Sequence, residues 1–398
     1  AAAECLRKNI ISASVMMPSI PRPGEREVLS ALAEGFCLGD YGFTRYKTKK
    51  ENGDARFGEV IFRSDSEGAG DLLREAEIVC RNTNACRDLV NESSDNCTPA
   101  LFAAAAKKLA KQRGISCTVF GEADIARMKM GLLQAVSRGS ANPPRLVVLK
   151  YRGGTASSKS VALVGKGVVF DTGGLDIKPA AGMRLMKKDM GGAAHALALG
   201  RMIMAARLPV RLAVLVPAVE NAISGDAMRP GDVLASRQGL SIEVGNTDAE
   251  GRLILADALT RAAELEPALT LDMATLTGAA RVALGPQLPP FFTDDEDLAR
   301  EIEAAAQAAH DPVWRLPLWK GYVDALDSDI ADIKNDPDGW AQAGAMTAGL
   351  FLQRFAPPGP WAHFDIFAWN PRGRPGWPSG GEAQAIRGLY CMIRTRFA

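Results

Sequence analysis

Four carboxylates and two lysines in glycine-lined segments are the residues of this 398-residue chain whose spacing could do chemistry. Asp248 and Glu250 stand one residue apart in Asn246-Thr247-Asp248-Ala249-Glu250-Gly251-Arg252. In an extended segment, side chains two residues apart point to the same side. Two carboxylates held on one side repel each other unless positive charge lies between them. A divalent cation with oxygen ligands is the simplest local answer. The other reading of the heptapeptide is a solvated acidic turn before a helix, because Asp and Glu are favourable at helix N-termini in any case.

A second acidic region adds weight to the first reading. The apolar run Val168-Val169-Phe170 stops at Asp171, and Thr172-Gly173-Gly174 follows. A charge at the end of a buried run is costly unless it is paired or liganded. Lys166 precedes this run, Lys178 follows it, and Asp189 stands just before Met190-Gly191-Gly192. Taken singly, Asp171 and Asp189 also fit ordinary carboxylates at element ends. Taken together, Asp171, Asp189, Asp248 and Glu250 match the charge of two divalent ions. Lys166, Lys178 and Arg252 then remain for orientation and transition-state charge. Two metals about 3.5–4 Å apart, bridged by carboxylates, activate a water for hydrolysis.

The elements that must position these residues alternate regularly. Apolar strands are expected at Ser116–Phe120, Arg145–Tyr151, Val161–Val164, Val210–Val216 and Ala268–Ala274, with a short β-rich run at Leu240–Val244. Helices are expected at Ala100–Gln112, Ala123–Met130, Gly192–Ala206 and Leu253–Leu265. The fold class is therefore α/β, a mixed, largely parallel β-sheet sandwiched by helices, with a smaller α/β N-terminal region. In such sheets chemistry collects beyond the carboxyl ends of strands, where Asn246–Arg252 is placed. The domain reading is a reduced N-terminal region over 1–66 and a catalytic domain over 67–398, with 67–90 as a linking helix. Within 1–66, strands are expected at Ile10–Met16 and Glu59–Phe62, a helix at Glu25–Phe36 and a surface loop at Lys47–Asn52.

Composition bounds the alternatives. A net charge of +1 gives no global basic field for nucleic acid or acidic membrane. The most apolar region, Ala193–Val219, is broken by Arg201, Arg207 and Arg211, so no membrane span is expected. Seven scattered cysteines without a Cys-x-x-Cys pair read as reduced thiols of a cytoplasmic protein. His195, His310 and His363 are too far apart for His-Glu-x-x-His zinc binding and read as packing or surface residues. No Gly-x-Ser-x-Gly elbow occurs. Gly165-Lys166-Gly167 fails the phosphate-loop pattern, and Phe170 occupies the third-glycine place of a dinucleotide fingerprint.

The motifs resemble the leucyl aminopeptidases, the two-metal M17 peptidase family. The heptapeptide with Leu253 looks like the family signature. Val164-Gly165-Lys166-Gly167 through Asp171-Thr172-Gly173-Gly174 to Lys178-Pro179 resembles the other metal segment, as does Met186-Lys187-Lys188-Asp189-Met190-Gly191-Gly192. Asp272–Ala279 matches a further block, and the likeness covers about residues 67–398. It implies a tighter metal site of Lys166, Asp171, Asp189 and Glu250, and a second, more exchangeable one of Asp171, Asp248 and Glu250. It implies Lys178 at the scissile carbonyl and Arg252 holding a bicarbonate that acts as general base. Met186, Thr275 and Gly278 would line the first side-chain pocket, with the backbone near Leu276 fixing the peptide. The implied metals are manganese or zinc, with magnesium or cobalt as alternatives. The implied substrates are peptides with a free N-terminus, and the implied assembly is a homohexamer. A narrower dipeptidase of the same chemistry is the second enzymatic reading.

Overall fold

Strands covered on both faces must be apolar along their whole length, and the centre of this protein is built from such strands. The computed structural model describes residues 12–16, 24–49, 58–65, 67–109, 114–337 and 342–397. Cys5 and the ends of the expected segments Ile10–Met16, Lys47–Asn52 and Ala100–Gln112 lie outside them. By packing, the chain forms two units, Ala1–Asn91 with Trp369–Ala383, and Glu92–Ala368 with Gln384–Ala398.

In the first unit, β1 (Ser12–Met16) and β2 (Glu59–Arg63) pair in parallel. Helix Gly24–Gly39 packs on helix Ala69–Asn91, the segment read from sequence as a linker. Arg87 is buried there at 1% exposure, tied to Glu382 and to the carbonyl of Gly376.

The second unit carries β3 (Ile115–Phe120), β4 (Arg145–Arg152), β5 (Ser160–Gly165), β6 (Gly167–Asp171), β7 (Arg211–Asn221), β8 (Val233–Ala235), β9 (Ser241–Glu243), β10 (Leu269–Ala274), β11 (Pro290–Phe292), β12 (Trp314–Arg315), β13 (Ile333–Lys334) and β14 (Trp361–Asp365). Nine of them form one sheet in the order β12-β11-β14-β10-β5-β7-β4-β3, with β6 also paired to β7. The inner strands β14, β10, β5 and β7 run parallel. Antiparallel pairing is confined to β11–β14, β7–β4 and β4–β3. The mixed, largely parallel sheet between helices is the architecture expected.

Period two divides the core. Ala162, Val164, Ala213 and Leu215 pack with Leu253, Leu255 and Leu259 of helix Glu250–Ala263. Leu212 and Val214 face helix Gly191–Ala205, where a Cβ on Gly200 would lie 2.8 Å from Val214 Cγ2. Burying an aliphatic side chain of this size contributes about 1.5–3 kcal/mol, so these two faces hold the sheet's position. Buried Asp272 of β10 accepts from Trp361 Nε1 at 2.7 Å and pairs with His363 Nδ1 at 2.5 Å on β14. His195 is buried in its helix, bonded to Gly191 O at 2.7 Å and accepting from Gln384 N at 2.8 Å. His195 and His363 are thus packing residues.

Helix Gly131–Ser137 was not legible in the sequence. Its N-cap, Met130, offers no side-chain cap. Asp257, from helix Glu250–Ala263, instead accepts from Leu132 N and Leu133 N at 3.0 and 3.1 Å. The four orphan donors of a helix start need such partners, and here the partner lies far away in sequence. Strand β7 also runs past the expected end at Val216 to Asn221.

Helix Gly191–Ala205 can reach the sheet only because its first turn lacks side chains. A Cβ on Gly192 would sit 2.0 Å from Met273 O and 2.8 Å from Lys166 N. Gly192→Ala should therefore lower stability by ~2 kcal/mol or more, read from the urea midpoint, whereas Gly182→Ala, with nothing within 4 Å, should leave it nearly unchanged.

Candidate active site

Strand ends on the central sheet bring the acidic segments together. Lys166 lies between β5 and β6, its N–H donating to Met273 O of β10 at 3.0 Å and its carbonyl accepting from Ala193 N at 2.8 Å. Asp171 closes β6. Asp189 sits in the 3-10 turn Met186–Met190 that leads into helix Gly191–Ala205. Asp248 and Glu250 are not in an extended segment, contrary to the sequence argument. Asp248 lies in a turn closed by its own N–H to Asn246 Oδ1 at 2.8 Å, and Glu250 begins the helix. The turn, rather than strand alternation, aims both carboxylates the same way.

The four carboxylates and two lysines form one cluster. Lys166 Nζ lies 2.7 Å from Asp189 Oδ2 and 3.0 Å from Glu250 Oε1, and it donates to Thr275 O at 3.0 Å. Lys178 Nζ lies 2.8 Å from Asp171 Oδ2 and bonds Asp248 as well. Oxygens of Asp171, Asp248 and Glu250 all fall within 4.8 Å of one another. Thr275 Oγ1 donates to Asp189 Oδ1 at 2.8 Å, and Leu276 N donates to Asp365 Oδ1 at 3.0 Å. Of the other residues expected to line the first side-chain pocket, Met186 opens the turn that carries Asp189, and Gly278 opens helix Gly278–Leu284.

These residues fit divalent cations. Glu250 is fully buried, yet its Oε2 has neither hydrogen bond nor ion pair. A carboxylate oxygen left so inside a protein is an open ligand position. Burial first, and then the charge of Asp171, push Glu250 up to about 8 and Asp248 up to about 6. Burial opposes the Lys166 ammonium, but Asp189, Glu250 and Asp171 together raise it well above its ordinary value. Two lysines therefore do not neutralise the four acids, and added cations would. Gly251 lets Lys166 in: a Cβ there would meet Lys166 Cε at 2.6 Å and Nζ at 2.7 Å.

Arg252 is 6% exposed, and its Nη1 donates to Asn335 O at 2.6 Å. Its Nε has no partner, so one donor stays open for an anion. Supporting residues were missed in the sequence. Asn221 Nδ2 donates to Asp171 Oδ1 at 2.8 Å and to Thr247 O at 3.2 Å. Asn335, fully buried, accepts from Gly245 N at 2.8 Å and donates to Asn246 O at 2.8 Å. Their only sequence signal is an uncharged amide at a strand end, which is too common to single out.

The chain matches the model of the cytosol aminopeptidase family, catalytic domain, over residues 84–390. It is 44% identical over 376 residues to a probable cytosol aminopeptidase of Syntrophotalea carbinolica, covering 92% of this chain and 75% of that relative. A probable cytosol aminopeptidase of Geotalea uraniireducens is 39% identical over 404 residues, covering 99% and 80%. Among solved structures, the cytosol aminopeptidase of Coxiella burnetii superposes with a TM-score of 0.90 at 41% identity, covering 99% of this chain and 83% of that one. The bottromycin maturation enzyme BotP in complex with Mn gives 0.91 at 35%, covering 100% and 86%.

A raised carboxyl holds its proton more tightly in the folded state than in the unfolded one. Through Glu250, the metal-free protein thus loses stability as pH rises from its unfolded value near 4.5 to about 8. Glu250→Gln removes that loss. The melting temperature of chelated wild type relative to this variant should fall between pH 5 and pH 8, and parallel curves would contradict the assignment.

Proposed function

The chain belongs to the cytosol aminopeptidase family, the M17 peptidases, and on that premise we propose which of its residues perform the reaction and how. The family activity is metal-dependent hydrolysis of the N-terminal residue from peptides, so the protein is a hydrolase, a metallo-exopeptidase of the leucyl aminopeptidase type. It binds divalent metals.

The observation that carries the residue-level reading is the buried acid cluster with an unpartnered oxygen on Glu250. Lys166, which must give up its ammonium proton and bind as a neutral amine, would hold the tighter ion with Asp171, Asp189 and Glu250. Asp171, Asp248 and Glu250 would hold the exchangeable one, with manganese or zinc as the ions and magnesium or cobalt as the alternatives. When bound, the pair supplies a bridging water acidic enough to serve as the nucleophile. Lys178 now spends its charge on Asp171 and Asp248. Once those acids hold cations, its ammonium is free to donate to the scissile carbonyl and its developing oxyanion. Asp189 would accept a hydrogen bond from the substrate's free α-amine, which selects N-termini. Arg252 would hold bicarbonate as general base, a role supported by its open Nε. Met186, Thr275 and Gly278 would line the first side-chain pocket, and Leu276, positioned by Asp365, would present backbone to the peptide.

Residues 67–398 form the proposed catalytic domain, and the family match falls within it. The names of the relatives support a cytoplasmic location, and the family resemblance supports a homohexamer. Among the described residues no helix is long and apolar enough to cross a membrane. The formal charge of +1 gives no reason to expect nucleic acid as a partner.

Hydrolysis of leucine, alanine, methionine and arginine p-nitroanilides, measured after chelation and readdition of manganese or zinc, tests this reading. Release should return with metal and require a free α-amine. Asp171→Ala should lower kcat/KM at least ~100-fold, since that carboxylate serves both ions. Retained activity in this variant would defeat the two-metal assignment, and hydrolysis of N-acetylated substrates at equal rate would defeat the selection of free N-termini.

A further inference from the structure

Lys188 is a buried charge that the reaction as described leaves unused. It is 5% exposed and lies in the turn Met186–Met190, next to Asp189 and two residues after Met186. Among the described residues its ammonium has no hydrogen bond and no carboxylate within ion-pair distance. Its ammonium lies over the ring of Phe367, 4.8 Å from the centroid. The guanidinium of Arg281 lies over the same ring at 5.2 Å. Arg281 is exposed and also has no carboxylate partner among the described residues. A ring face recovers less than the burial of an unpaired ammonium costs.

The nearby acids are committed elsewhere. Asp189 holds Lys166 at 2.7 Å and Thr275 Oγ1 at 2.8 Å. Asp365 accepts from Leu276 N at 3.0 Å, Thr277 N at 3.1 Å and Thr277 Oγ1 at 2.6 Å. Arg281, Phe367, Asp365, Thr277 and Ala280 line one cleft. That cleft carries Arg281 on the ring that Lys188 also meets, while Asp365, the one acid among its described lining residues, is saturated by donors. Thr277 directly precedes Gly278, and Met186 shares the turn of Lys188, so the cleft adjoins the proposed first side-chain pocket. With metal ions occupying the four carboxylates, no acid remains to offset Lys188.

We propose that Lys188 and Arg281 bind a carboxylate of the peptide substrate beside the scissile bond. The inference rests on the aminopeptidase reading and adds a substrate class to it. The carboxylate is either the side chain of an acidic first residue or the free C-terminus of a dipeptide. Both present a planar anion that an ammonium and a guanidinium can share. A hydrocarbon side chain would leave Lys188 buried and unpaired.

The test compares near-isosteric substrate pairs on the metal-loaded protein. One pair is glutamyl and glutaminyl p-nitroanilide, and the other is Leu-Gly and Leu-Gly-amide. Wild type should favour the acid in at least one pair by about tenfold in kcat/KM, and the pair that responds identifies the carboxylate. That ratio should fall towards one in Lys188→Met and partway in Arg281→Gln. Each ratio is taken within one protein, so changes in metal loading cancel. If Lys188→Met does not fold, the wild-type ratios and Arg281→Gln still decide. Equal use of acid and neutral partners by wild type, or ratios that survive both substitutions, would overturn the proposal while leaving the aminopeptidase reading intact. Absence of hydrolysis on every substrate would overturn both.

Discussion

Four carboxylates, three of them buried, gathered around two lysines need more positive charge among them, and the second unit is organised around supplying it. Lys166 and Lys178 enter the cluster from opposite sides of Asp171, one before the strand it ends and one after. They pair with all four acids, yet Glu250 keeps an oxygen without a partner and is pushed up to about 8 by burial and by Asp171. Like charges in a low-dielectric site cannot all ionise unless cations join them. The same imbalance that destabilises the protein without metal is what would make its affinity for divalent ions high, since binding and folding draw on one free energy.

Holding such a cluster demands rigid loops, and these loops lie beyond the strand ends where the sheet offers no hydrogen bonds. Every buried backbone group there needs another partner. Buried amides and acids supply them. Asn335 serves both sides of the turn that carries Asp248, and its carbonyl anchors Arg252. Thr247 Oγ1 donates to Gly173 O at 2.6 Å, which ties the Asp248 turn to the glycine loop after Asp171. Asp365 organises the start of helix Gly278–Leu284. Glycine gives the remaining closeness: Gly192 lets a helix touch the sheet, and Gly251 makes room for the stem of Lys166.

The acid cluster and the cleft beside it obey different charge rules. In the cluster, negative charge is in excess and asks for metal. At Phe367, positive charge is in excess and its neighbours are already bonded. A peptide lying across both regions would meet acids at its amine end and cations a short way off, so charge alone would orient it.

Much of this was legible in the chain itself. Unbroken apolar runs such as Arg145–Tyr151 and Val161–Val164 mark strands covered on both faces, and the helices between them follow from apolar periodicity. The glycine-lined acids at 171, 189, 248 and 250 already implied cations, because unpaired carboxylates at the ends of buried runs have few other uses. What the sequence could not convey was geometry set by distant partners. The turn at Asp248 replaced the extended segment that residue spacing suggested, because Asn246 closes on Asp248 N and Asn335 fixes the turn from about ninety residues away. Helix Gly131–Ser137 has its cap on Asp257, another helix altogether. Nor does local sequence distinguish Lys188 from a surface lysine. Local propensity and spacing act along the chain, whereas burial and unmatched charge exist only once distant segments have packed, so the first were readable from sequence and the second only from the fold.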